Sequence, residues 1–248
     1  MAGRGGALCL FLLAAAAFGQ QRNFVACPVV RDTKTVPCYL AEYEGETYFL
    51  GIQGDITSAF HPPQLKHEVL VEGRVAPGPR VCGGIPLQPV SISVRKEVNL
   101  ACNQLLPAEP GIEAPPAARP AGPSSQRPEP VSHSEPRTGR QEFTVPYMFD
   151  DDYLEYAGNQ AVTEAAAYAQ HLGVPAVKVT GYRATTLLSN GQRLVEQPGL
   201  AERRAQEIAT LLHGLGIPKV TVEWKSDPEP GDGLHDASLR RVTIVVSP

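Results

Sequence analysis

The sequence predicts two domains: a small, disulfide-stapled all-β barrel over residues 22–103, then an α+β sandwich of order β-α-β-α-β-β over 141–248. Three observations carry this. Four cysteines, Cys27, Cys38, Cys82 and Cys102, fall among short β-like runs in the first half. Residues 104–140 turn to Pro, Ala, Gly and Ser with almost no large apolar side chains. The second half switches between two-residue and helical periodicity, with glycine stops between the runs. A net charge of −4, from 22 basic and 26 acidic residues, is too weak and too mixed to point to nucleic acid.

Residues 1–19 are expected to be a signal peptide. Arg4 precedes the apolar run from Ala7 to Phe18, which is too short to span a bilayer, and Ala17 and Gly19 set a cut near Gly19/Gln20. Export removes Cys9 and places the other four cysteines in an oxidising compartment, the periplasm or cell envelope. Four cysteines allow three pairings. The expected one is Cys27–Cys102 with Cys38–Cys82, in which the outer bridge closes the ends of the domain. No CxxC or closely spaced histidine pair points to a metal, and His61 and His67 read as loop residues.

In the first domain, "CYLAEY" and "ETYFLGI" flank Gly45 as a hairpin. "HEVLVEGRV" puts Val69, Val71 and Val75 on one face. "LQPVSISVRKEV" puts Val90, Ile92 and Val94 on one face and Ser91 and Ser93 on the other. The strand-and-glycine rhythm resembles an OB-type barrel. The proline-rich segment cannot offset its ordering entropy and reads as a disordered linker, on the order of 100 Å if fully extended. It is a passive spacer, or a tether that lets one domain stay fixed while the other reaches a distant target.

The second domain opens with a strand, "EFTVPYMF". Asp150, Asp151 and Asp152 then stand where side chains cap a helix. That helix carries the stripe Leu154, Ala157, Ala161, Ala165 and Tyr168 and stops at Gly173. "AVKVTGY" is a strand. "LAERRAQEIATLLHGLG" is a helix with Leu200, Ile208, Leu211 and Leu212 as its stripe. "KVTVEW" and "LRRVTIVV" are the last strands.

These pieces, in order, resemble the OmpA-like C-terminal domain, a periplasmic module that binds peptidoglycan. "VPYMFDDDYL" is similar to the family's first strand and its Phe-Asp-rich exit. "VKVTGY" is similar to the strand that ends in Gly-His-Thr-Asp. "LAERRAQEIATLLHGLGIP" is similar to the Leu-Ser-x-x-Arg-Ala helix, and "LRRVTIVV" to the Asn-Arg-Arg-Val strand. The resemblance implies a clamp for the diaminopimelate of the peptide stem, with an aspartate for the ammonium and an arginine for the carboxylate. The arginine corresponds to Arg204 and the aspartate to Ala184, so half of the clamp is absent. Tyr182 and Arg183 replace the His and Thr, and the stretch to Arg204 is about five residues longer than the family pattern implies. Glu196 is the nearest replacement carboxylate, with Asp232 and Asp236 as others, and Gln197 stands where the family often has a ligand-contacting asparagine. Arg204 alone would otherwise pair with Glu202 or Glu207, and Arg203 reads as solvated.

The ligand-binding candidates are therefore Arg204, Gln197, Arg183 and Glu196. No nucleophile, metalloprotease, P-loop or dinucleotide motif is present, so no catalytic residue and no cofactor is assigned. The reading is a non-enzymatic envelope protein tethered to peptidoglycan through Arg204, with an envelope protein as partner of the first domain and no membrane span after export. The alternative is an OmpA-like fold that no longer binds peptidoglycan and serves as a protein-interaction or structural module.

Overall fold

The computed structural model describes residues 19–52, 62–116, 139–173 and 176–248. The expected signal peptide, His61 and the middle of the proline-rich segment lie outside the described residues. Among the described residues no helix is long and apolar enough to cross a membrane.

The first half is one sheet of seven strands. They are β1 (Gln21–Ala26), β2 (Pro28–Arg31), β3 (Cys38–Tyr43), β4 (Glu46–Ile52), β5 (His67–Val75), β6 (Ile85–Val98) and β7 (Gln104–Leu106). Their order is β1-β5-β6-β4-β3-β2-β7. β1 and β2 are separated by Cys27 alone, yet β1 pairs with β5 and β2 pairs with β3. That bend curls the sheet around a core of Phe24, Tyr39, Tyr48, Leu50, Val69, Val71 and Ile92. Disulfides join Cys27 to Cys102 and Cys38 to Cys82.

β7 corrects the expected start of the linker. Residues 104–106 pair in parallel with β2, and Ile112 and Ala114 pack beside the Cys38–Cys82 bridge. Arg31 holds Glu109 at 3.0 Å. The chain therefore stays folded past the last cysteine, because Leu106 and Ile112 supply apolar surface that composition alone understates.

The second half contains a four-stranded sheet of order β12-β9-β13-β8. Its strands are β8 (Gln141–Pro146), β9 (Ala176–Gly181), β12 (Val220–Trp224) and β13 (Arg241–Ser247). Helices α1 (Tyr156–His171) and α2 (Leu200–Gly214) cover one face, burying Val145, Val179, Ile208, Leu212 and Ile244. The buried residues of α1 are Gly158, Val162, Ala165, Ala166 and Ala169; of the expected row Leu154 and Ala165 are buried, Ala161 and Tyr168 pack against the core, and Ala157 alone is exposed. The aspartate run does not cap α1. The N-cap is Glu155, without a side-chain cap bond; Asp150 and Asp152 turn toward the α2 side, and Asp151 accepts the Asp152 and Tyr153 N–H groups.

Two insertions depart from the simple order. A separate two-stranded hairpin, β10 (Thr185–Leu187) and β11 (Arg193–Val195), stands between β9 and α2. A single helical turn, α3 (Asp236–Leu239), precedes β13.

The two halves dock directly. In a strand, successive side chains face opposite ways. On β5, Val69 and Val71 enter the core of the first half, so Leu70 and Glu72 face outward, yet both are buried. Asn23, Val25 and Ser93 share that outer face through the registers Leu70↔Val25, Leu70↔Ser93 and Glu72↔Asn23. Leu70 and Val25 pack on Phe149, Leu188 and Leu194 of the second half. The Ser93 hydroxyl accepts the Phe149 N–H at 2.9 Å.

Candidate functional site: a closed arginine pocket

β9 ends at Gly181, where a Cβ would lie 2.0 Å from the Ala201 carbonyl oxygen. Only glycine lets the first turn of α2 sit this close to the strand. The helix starts from Gly199, whose left-handed φ of 79° also favours glycine. Its buried face is Leu200, Ala201, Arg204, Ala205, Ile208, Ala209 and Leu212, so Arg204 lies inside the apolar stripe.

Arg204 is 0% exposed, and its guanidinium uses all five N–H groups within the chain. Nε donates to the Asp151 carbonyl at 2.8 Å. Nη1 donates to the Tyr182 carbonyl at 3.2 Å and to Glu196 Oε2 at 3.2 Å. Nη2 donates to the Met148 carbonyl at 3.0 Å and to Glu196 Oε1 at 2.7 Å. The guanidinium carbon also lies 4.6 Å from the Tyr147 ring centroid. Burial raises the Tyr147 phenol pKa, so the ring stays neutral beneath the cation.

Glu196 is 0% exposed and equally satisfied. Beside the two-point pairing with Arg204, Oε1 accepts the Asp150 N–H at 3.0 Å and Oε2 accepts the Ala184 N–H at 2.8 Å. A planar carboxylate on a planar guanidinium, with two backbone amides behind it, is a built carboxylate site. Its occupant is the chain's own side chain. Ala184 is fully buried; its amide donates to Glu196 Oε2 and its carbonyl accepts the Glu196 N–H at 3.1 Å. A second carboxylate there would crowd Glu196.

The other candidates are structural in this conformation. Arg183 donates through Nε and Nη2 to the Ser226 carbonyl and through Nη1 to the Glu196 carbonyl, which ties down the loop. The Gln197 side chain is exposed, while its N–H meets Asp150 Oδ1 at 2.7 Å. Arg203 pairs with Asp152 at 2.9 Å on the surface and holds that carboxyl below its ordinary pKa. Asp236 is buried and accepts the N–H groups of Leu187, Asp232 and Gly233. The expected partners Glu202 and Glu207 are not those of Arg204.

A second arginine lock joins the halves. Arg240 and Glu72 are buried and pair through both terminal nitrogens, and the Thr186 hydroxyl bridges them. Neither residue figures among the sequence candidates. The readable signal was Leu70: an apolar residue on the outer face of a strand whose inner face is already apolar implies cover on both sides.

No protein-family model matches the chain, and no curated protein matches it. Among solved structures it is similar to the OmpA-like domain of FopA1 from Francisella tularensis subsp. tularensis SCHU S4, at 20% identity and a TM-score of 0.35. That likeness covers 44% of this chain and 73% of the other. A putative MotB-like protein from Desulfovibrio vulgaris is 16% identical, with a TM-score of 0.34, over 44% and 76% of the two chains. The periplasmic domain of Helicobacter pylori MotB is 18% identical over the same shares, with a TM-score of 0.34.

Proposed function

We propose that the protein is an exported, non-enzymatic component of the cell envelope. Its OmpA-like second half serves as a structural and protein-interaction module, and its clamp arginine is closed to wall ligands by Glu196. One observation carries this reading: all five Arg204 donors are consumed internally, two of them by a fully buried carboxylate. A peptidoglycan carboxylate would need to displace Glu196 before reaching the guanidinium. The two disulfides support an oxidising compartment. The bent β1–β2 strand and the strand order of the first sheet support an OB-type barrel. The first half acts as a docked partner domain for the second, through Leu70, Val25 and Phe149.

The test is sedimentation of the chain from Gln20 onward with purified, insoluble peptidoglycan at low salt. The expected result is that the protein stays in the supernatant. Sedimentation that is lost on Arg204→Ala would overturn the reading and restore the open clamp.

A further inference from the structure

We infer that the β10–β11 hairpin is a gate on the Arg204 pocket, latched shut by the docking of the first half. This rests on the reading above that Glu196 closes the pocket. The hairpin has three residues per strand and pairs with neither large sheet, so by itself it is marginal. Within the second half three bonds hold it, from Thr185 N–H to the Glu229 carbonyl, Leu187 N–H to Asp236 and Arg193 to the Gly231 carbonyl; its two ends carry the rest. At the root, one residue beyond β11, Glu196 enters the pocket and takes four N–H bonds. At the tip, the chain is fastened to the barrel. Ser189 N–H donates to the Asn23 carbonyl at 2.8 Å, and Asn23 N–H donates to Ser189 Oγ at 2.9 Å. Asn23 Nδ2 bonds the carbonyls of Leu187 and Gly233.

Between the two ends, Thr186 sits in the Glu72–Arg240 lock, and Leu188 and Leu194 pack on Leu70 and Val25. One short hairpin thus carries both the plug and the interdomain latch. The two equilibria are therefore linked, and linkage runs both ways. Loosening the dock withdraws Glu196 and frees Arg204 for an external carboxylate. A carboxylate that takes the pocket loosens the dock.

Amide hydrogen exchange on the full mature chain tests the coupling. The reporters are the Ala184 and Asp150 N–H groups, which donate to Glu196 itself. Two variants weaken the latch without touching the pocket: Glu72→Gln and the milder Asn23→Ala. The expected result is at least about tenfold faster exchange at Ala184 and Asp150, a coupling typical of linked sites. Core amides such as Val179 and Ile208 should lag well behind. Sodium acetate, compared with sodium chloride at equal ionic strength, should raise the melting temperature of the variants more than that of the parent. Reporters that exchange no faster than the core amides in both variants overturn the gate, because the hairpin then has no opening of its own. Unequal exchange without any acetate effect overturns the carboxylate part. Sedimentation of the parent chain with peptidoglycan through Arg204 would sink the closed-pocket reading without altering what these reporters say about coupling.

Discussion

Replacing Glu196 by Ala should be among the most damaging single changes in the second half. The variant leaves the Arg204 guanidinium buried with two of its five bonds unmade, and leaves the Asp150 and Ala184 amides without their acceptor. Breaking a buried ion pair from one side costs about 3–5 kcal/mol. Three carbonyls, of Asp151, Tyr182 and Met148, still hold the cation, which argues against the top of that range. The two orphaned amides argue against the bottom, so about 4 kcal/mol is expected. With a urea m-value of about 2 kcal/mol/M, the midpoint falls by about 2 M. Trp224, the single tryptophan, sits at the end of β12 and reports this half by fluorescence. The comparison is Glu196→Leu with Arg204→Met, which removes both charges and so the unpaired cation, but leaves two amides and three carbonyls without partners, so a loss of similar size is expected. A loss below about 1 kcal/mol for Glu196→Ala would refute the argument that the pocket is a satisfied internal pair.

Other consequences are independent of that pair. Gly181→Ala should lower the melting temperature sharply, because its Cβ meets the Ala201 carbonyl at 2.0 Å and α2 must lift off β9; a thermal scan showing no loss contradicts the packing. Removing the Cys27–Cys102 bridge, whose cysteines are 75 positions apart, should cost about 4 kcal/mol in urea titrations of the double serine variant. Arg203 holds the Asp152 carboxyl below its ordinary pKa, so its contribution is complete above the unfolded value and fades as pH falls through the folded one; the gap between parent and Asp152→Asn should shrink on acidification. Glu207 behaves oppositely: burial first, then Asp152 and Asp151, raise its pKa, so Glu207→Gln should be at least as stable as the parent at pH 7, with the difference vanishing once the parent carboxyl is protonated.

Periodicity made much of the fold legible. The Gly45 hairpin, the alternation of β5 and β6, and the β-α-β-α-β-β order of the second half appear where residue spacing places them. Local signals misled where a tertiary partner outbid them. Asp150–Asp152 have the composition of a helix cap, but Arg203 and the Gln197 amide lie within reach and take two of them. Residues 104–114 have linker composition, yet Leu106 and Ile112 are enough to fasten them to the Cys38–Cys82 corner. The contacts between the halves join residues about 50 to 210 apart in sequence, such as Phe149 to Ser93 and Asn23 to Gly233, and no local pattern contains them.

The pocket shows why a motif residue is not yet a site. Arg204 matches a clamp arginine by its neighbours in sequence, but its register also places it with Leu200, Ala205 and Ile208 in the stripe that faces the core. A guanidinium there must be fully bonded, because an unpaired buried cation costs far more than any surface pair returns. With a buried alanine at 184 and a hairpin ahead of α2, the chain supplies the carboxylate itself. Glu196 does so from a hairpin whose other end is fastened to the first half. The alanine at 184, the hairpin and the docked first half are therefore parts of one arrangement. Glu196 is held directly by Arg204, Asp150 and Ala184 of its own half, while the hairpin that delivers it is fastened by Asn23, Leu70 and Glu72 of the other.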